Sequence, residues 1–218
     1  MVNSSLVASG SSVIDIYGQV CGVYGAHSPG ATSVVGSDDW DWIRISGWEH
    51  SMYNASLHAG GGDDYVQLSG YGGMRDSQLN LGEGNDRLEL LDQIHDSIIM
   101  TGGGDNTLEV STAEYILYDY SMKNSHFLLG NGSDTIYFWT NYGGTMFNSS
   151  IVLEDYSSSS GDKEIYLGTD FNYGYMNRVP ENWATIRQTE VYLGSGNDFL
   201  KIYCGSANGS YTEIAYSY

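Results

Sequence analysis

The stretch Asp76–Leu90, D-S-Q-L-N-L-G-E-G-N-D-R-L-E-L, decides how this chain folds. Leu79 and Leu81 lie on one face, with Ser77, Gln78 and Asn80 interrupting them, and Leu88 and Leu90 follow a glycine turn. Alternation over a few residues is the mark of a half-buried strand. The phrase returns at Asn54–Leu68, Asp96–Val110, Asn124–Phe138 and Gln188–Ile202, and in degraded form from Asn148 and again from Asp162. Asn3–Ala8 matches its first half and Val34–Ile45 its second. From 54 to 148 the copies start 20 to 28 residues apart, the period of a stacked solenoid rather than a closed globule.

The expected fold is therefore all-β, a right-handed parallel β-helix or β-roll. Leu, Ile, Val and Phe from every coil fill one continuous core. Seven or eight coils at about 4.8 Å each give a rod of roughly 35 Å. Residues 1–218 read as one solenoid domain, with longer insertions near 111–123, 139–147 and 168–187. Asn3, Asn54, Asp76, Asp96, Asn124 and Asn148 share one phase, either as a side-chain ladder along the axis or as ordinary turn residues.

Composition narrows the partners. The net charge is −19, with only eight Lys and Arg. Phosphate recognition needs clustered basic residues, so nucleic acid is not expected, and neither is an anionic membrane surface. No stretch is apolar enough to span a bilayer, and the first thirty residues lack the basic start and apolar run of a signal peptide. A cation is the favoured partner. Cys21 and Cys204 fall near opposite ends of the rod, which disfavours an intrachain disulfide; free thiols are expected, with an intermolecular bond as the alternative.

The turns carry the chemistry. They read G-G-G-D-D-Y-V (Gly60–Val66), G-E-G-N-D-R-L (Gly82–Leu88), G-G-G-D-N-T-L (Gly102–Leu108), G-N-G-S-D-T-I (Gly130–Ile136) and G-S-G-N-D-F-L (Gly194–Leu200). Glycines let backbone carbonyls converge, and calcium takes six to eight oxygens. The expected metal residues are Asp64, Asp86, Asp105, Asp134 and Asp198, with Gly60, Gly62, Gly82, Gly84, Gly102, Gly104, Gly130, Gly132, Gly194 and Gly196. The aspartate stands two residues before an inward apolar position, and the turn is expected to re-aim it toward an ion. Gly-Asn-Asp also turns well without metal, so a purely structural reading stays open.

These turns resemble the calcium-binding nonapeptide repeat of RTX (hemolysin-type) proteins, G-G-x-G-x-D-x-U-x with U apolar. Three departures stand out. The first glycine is replaced by Leu81, Ala59, Thr101, Leu129 or Leu193; Asn106 stands where Asp is expected, beside Asp105; and one motif appears per coil rather than one per half-coil. The resemblance implies Ca²⁺ as cofactor and a secreted or cell-surface bacterial protein.

No zinc-protease helix motif, Gly-x-Ser-x-Gly elbow or phosphate loop is present, so no enzyme is expected. The leading expectation is an extracellular calcium-stabilised solenoid with a structural or adhesive role: an adhesin, surface layer or filament subunit, stacking end to end as a homo-oligomer. The alternative is a carbohydrate-binding module. Nineteen Tyr and five Trp are many for this length, and Tyr173, Tyr175, Arg178 and Trp183 in the 168–187 insertion either form a stacking platform for a glycan or cover the core under a long coil. A polysaccharide lyase or epimerase ranks third, because Lys and Arg are scarce.

Overall fold

One turn of the chain explains the rest. Gln78–Glu83, Arg87–Leu91 and Ile94–His95 are three strands that lie on three different faces. Each pairs in parallel with its counterparts one coil below and one coil above. Leu79 lies beside Leu57 and Ile99, Leu88 beside Val66 and Leu108, and Ile94 beside Met74 and Met122. Repetition of this unit in the computed structural model builds sheets of eight, nine and seven strands. The chain is thus an all-β parallel solenoid, with no helix among the described residues. Those residues are 5–17, 20–21, 32–70, 72–91, 93–111, 122–140, 146–153, 161–169, 186–194, 196–205 and 211–216. Among them the one antiparallel pairing is Tyr211–Tyr216 against Phe199–Gly205.

The corners fix the coil. Asn54, Asp76, Asp96, Asn124, Asn148 and Gln188 all hold φ between 48° and 51°. This left-handed region is tolerated best by Asn and Asp among residues with a Cβ. Five coils lie between these six corners, fewer than the seven or eight expected; strands before 54 and after 188 extend the sheets. The corner side chains do form a ladder in part: Asn148 Nδ2 donates to Asn124 Oδ1 at 3.0 Å, and Asn124 Nδ2 to Asp96 Oδ1 at 2.9 Å.

The serines that follow four of these corners, Ser77, Ser97, Ser125 and Ser149, form a second, buried ladder. Ser97 Oγ donates to His95 O and accepts from the N–H of Ser77. Ser125 Oγ does the same for Ser97, and Ser149 Oγ for Ser125. A hydroxyl carries one donor and two acceptor sites, so one serine per coil satisfies a backbone group in each of two adjacent coils.

The core is one continuous cluster, as the alternation requires. It includes Val34, Leu57, Leu79, Ile99, Phe127 and Ile151 from the first face and Ile43, Val66, Leu88, Leu108, Ile136 and Ile165 from the second. The third face contributes Met52, Met74, Ile94, Met122 and Met146 from two-residue strands. The three expected insertions share one location: each joins a second-face strand to a third-face strand, Thr107–Ser111 to Met122–Lys123, Thr135–Thr140 to Met146–Phe147, and Glu164–Thr169 to Ile186–Arg187. Cys21 and Cys204 lie in strands at opposite ends of the stack, too far apart along it to be bridged.

A buried polar column beneath the glycine turns

The parallel register places one residue per coil in a single column at the start of the second face. It contains Asp41, Asp64, Asp86, Asn106, Asp134, Lys163 and Asp198, all of them buried. Four of the five expected carboxylates are here. Asp105 is not. It lies in an outer, exposed ladder in which Asn85 accepts from the N–H of Asp105, and Asp105 accepts from the N–H of Ser133. Asn106 takes the column position in that coil. Asp41 and Lys163 belong to the column although the turn motif did not single them out.

The column aspartates are in phase with the inward apolar residue two positions on. Asp64 and Val66 are both buried, as are Asp86 and Leu88. The turn does not re-aim the carboxylate; ordinary strand alternation carries it inside. There Oδ1 of Asp64, Asp86, Asn106, Asp134 and Asp198 caps the backbone of the coil below. The N–H of Asp41 donates to Asp64 at 2.7 Å, that of Asp64 to Asp86 at 2.8 Å, and that of Asp86 to Asn106 at 2.9 Å. Asn106 donates to Asp134 and Lys163 to Asp198 in the same way.

The second oxygens are another matter. No hydrogen-bond donor reaches Asp41 Oδ1, Asp64 Oδ2 or Asp86 Oδ2. A buried charge without compensation is costly, and the free energy appears as a displaced protonation equilibrium. Burial pushes the Asp64 carboxyl up to about 7 and that of Asp86 up to about 6, with neighbouring carboxylates adding to the rise.

The glycines place carbonyls against this column. Gly82 holds φ +106°, and a Cβ added to it would sit 1.8 Å from Gly60 O; Gly84 stands in the same relation to Gly62 O at 2.1 Å. Gly102 and Gly130 continue the first stack and Gly104 and Gly132 the second. At each step the carbonyl of one coil points at the glycine of the next, so side chains are excluded and the turns nest. Gly194 also has positive φ, and Gly196 packs beside Asp198 Oδ1.

One coil shows what fills such a place. The wholly buried Lys163 ammonium donates to Asp134 Oδ2 at 2.8 Å, to Gly130 O at 2.9 Å and to Gly132 O. All three ammonium protons are used. Asp134 remains shifted upward because burial outweighs the opposing pull of Lys163. Two turn carbonyls and a carboxylate oxygen form a donor set of the kind a hard cation takes. Among the described residues no three His, Cys, Asp or Glu side chains converge on one point, so a metal in this column would depend on carbonyls as much as on carboxylates.

The outer surface of the second face is aromatic and charged near the N-terminal coils. Arg44 pairs with Asp15, donates to Tyr17 Oη at 2.7 Å, and lies over the rings of Tyr17 and Trp42. Farther along, Tyr137 and Tyr166 stack at 5.0 Å. Tyr173, Tyr175, Arg178 and Trp183 lie outside the described residues. No helix of the described residues is long and apolar enough to cross a membrane. No family model, curated protein or solved structure matches the chain.

Proposed function

We propose that this protein is an extracellular β-solenoid scaffold of the RTX-like kind, stiffened by calcium bound along the glycine-turn column and serving a structural or adhesive role. One observation carries the reading. Three successive coils each bury a carboxylate oxygen that has no donor, Asp41 Oδ1, Asp64 Oδ2 and Asp86 Oδ2. A divalent ion would supply the partner that such oxygens lack, and the glycine turns before Asp64 and Asp86 stack in the same way as the turn whose carbonyls hold the Lys163 ammonium. Calcium there would cancel charge that otherwise opposes folding.

The modest charge of such sites fits an extracellular setting. No coil brings more than one column carboxylate. Low ligand charge gives weak calcium affinity, in the range of extracellular modules at about 10⁻⁴–10⁻³ M. Such sites fill where calcium is millimolar. The net charge of −19 favours solubility and cation uptake in the same setting.

Metal content and thermal unfolding test this directly. Protein equilibrated with calcium should retain ions, and its melting temperature should rise with calcium concentration and fall with chelator, because a ligand that binds only the native turns stabilises by mass action. No retained metal and no shift at 10 mM calcium would overturn the calcium reading and leave a metal-free scaffold.

A glycan-binding role is the second reading, and Trp42 and Tyr17 on the outer surface favour it. Both are exposed and share Arg44. Binding across a glycan panel that is lost on Trp42→Ala would support it, and no binding by the unaltered protein would remove it.

A further inference from the structure

We propose that Lys163 is a tethered replacement for a metal ion: its ammonium occupies a cation seat between two coils, so that this part of the stack meets its own charge requirement without dissolved metal. The inference shares the turn column with the calcium reading but does not need calcium to be bound elsewhere.

The register makes the case. Lys163 holds the position that Asp134, Asn106, Asp86, Asp64 and Asp41 hold in the coils before it. It is the single cation in a column otherwise made of Asp and Asn, and it is 0% exposed. Lysine is almost never fully buried unless paired, and here its partners are Asp134 Oδ2, Gly130 O and Gly132 O. Thr101 Oγ1 approaches the same carboxylate oxygen from the coil below, at 3.4 Å, and accepts from the N–H of Gly130. The seat therefore gathers carbonyl and carboxylate oxygens, with the Thr101 hydroxyl bracing the carboxylate from below.

The contrast with the acidic coils is chemical. Where the next residue up the column is Asp86, the Asp64 Oδ2 below it has no donor; where it is Lys163, the Asp134 Oδ2 below it has one. The same turn geometry thus carries an unmet demand for a cation in one coil and a covalently attached cation in another. Removing the amine while leaving the oxygens in place should expose the demand and admit a divalent ion.

The test uses Lys163→Ala, which vacates the seat, and the double variant Asp134→Asn/Lys163→Ala, which removes both charges. Calcium alone is the probe, read by native mass spectrometry and by thermal unfolding with calcium or chelator. The single variant should bind one calcium more than the unaltered protein, and its melting temperature should fall in chelator and recover in calcium by more than the unaltered protein gains. The double variant should bind no additional ion. An unchanged ion count in Lys163→Ala, with the same loss of melting temperature in calcium and chelator, overturns the inference. So does failure of Lys163→Ala to fold in millimolar calcium, whether or not the double variant folds, because the seat then needs the lysine itself rather than a cation. Absence of a calcium response in the unaltered protein bears only on the calcium reading; a gained ion in Lys163→Ala would still stand.

Discussion

The backbone N–H of Asp64 donates to Oδ1 of Asp86 at 2.8 Å, while Oδ2 of both residues has no donor. One oxygen of each carboxylate therefore holds neighbouring coils in register, and the other carries uncompensated charge into the interior. Registration and charge burden reside in the same side chains.

The pH dependence of metal-free protein follows. Asp64 and Asp86 have raised folded-state affinities for protons, to about 7 and about 6 against an ordinary 3.8. Between 3.8 and about 7 the folded state binds more protons than the unfolded one, so stability falls as pH rises through that window. Melting temperatures of metal-free protein from pH 4 to pH 8 should decline, and saturating calcium should flatten or reverse the slope. A rise in metal-free stability over that range would contradict the burden assigned to these two carboxylates.

Asp86→Asn separates the two roles. The amide oxygen can still accept from Asp64, and the amide nitrogen can donate, as Asn106 does to Gly104 O and Asp134 Oδ1. Metal-free protein at pH 8 should gain on the order of 1–3 kcal/mol, the cost of an unsatisfied buried group, and should lose part of its calcium response. Denaturant unfolding with and without calcium measures both.

The serine ladder should be worth more than its modest hydroxyls suggest. Ser97→Ala leaves His95 O without the serine donor and the Ser77 N–H without its acceptor. The expected loss is about 1–3 kcal/mol by urea unfolding. Ser69→Ala, whose half-buried hydroxyl donates only to Ser46 Oγ, should stay within about 0.5 kcal/mol.

Asn124→Ala tests the corners. At φ +49° a residue other than Gly, Asn or Asp is strained by roughly 1–2 kcal/mol, and the links to Asp96 and Asn148 are lost as well. Asn124→Gly keeps the allowed backbone and loses only the links, so its destabilisation should be clearly smaller in the same unfolding assay.

Leu88→Ala should cost about 2–5 kcal/mol, because a fully buried side chain flanked by Val66 and Leu108 leaves a cavity that two rigid neighbouring coils cannot close. Equilibrium unfolding in urea checks the value.

The solenoid was legible because two local signals coincide in five copies: period-two alternation, as around Leu79 and Leu88, and a glycine turn between its two parts. The third face was not, because its strands are two residues long and its core residue, Met52, Met74, Ile94, Met122 or Met146, stands alone with no alternation to reveal it. Within the turns, motif spacing identified Asp64, Asp86, Asp134 and Asp198. It could not choose between Asp105 and Asn106, since adjacent acceptors fit one motif and only the register with Asp86 and Asp134 assigns the inner place. Lys163 escaped because its coil has lost the glycine turn in sequence; D-K-E-I-Y-L shows a strand restarting, and nothing local reveals that the lysine lies above Asp134.

Because every coil adds one residue to the column, the charge that this rod buries is written one letter at a time: Asp, Asp, Asp, Asn, Asp, Lys, Asp. Exchanging a single letter changes the charge of its own rung and, through the cap it gives the backbone N–H of the rung below, that rung as well, as Asp86 does for Asp64. The column therefore reads as a spelled word rather than a set of separate letters, in which what a substitution does depends on its neighbours along the axis.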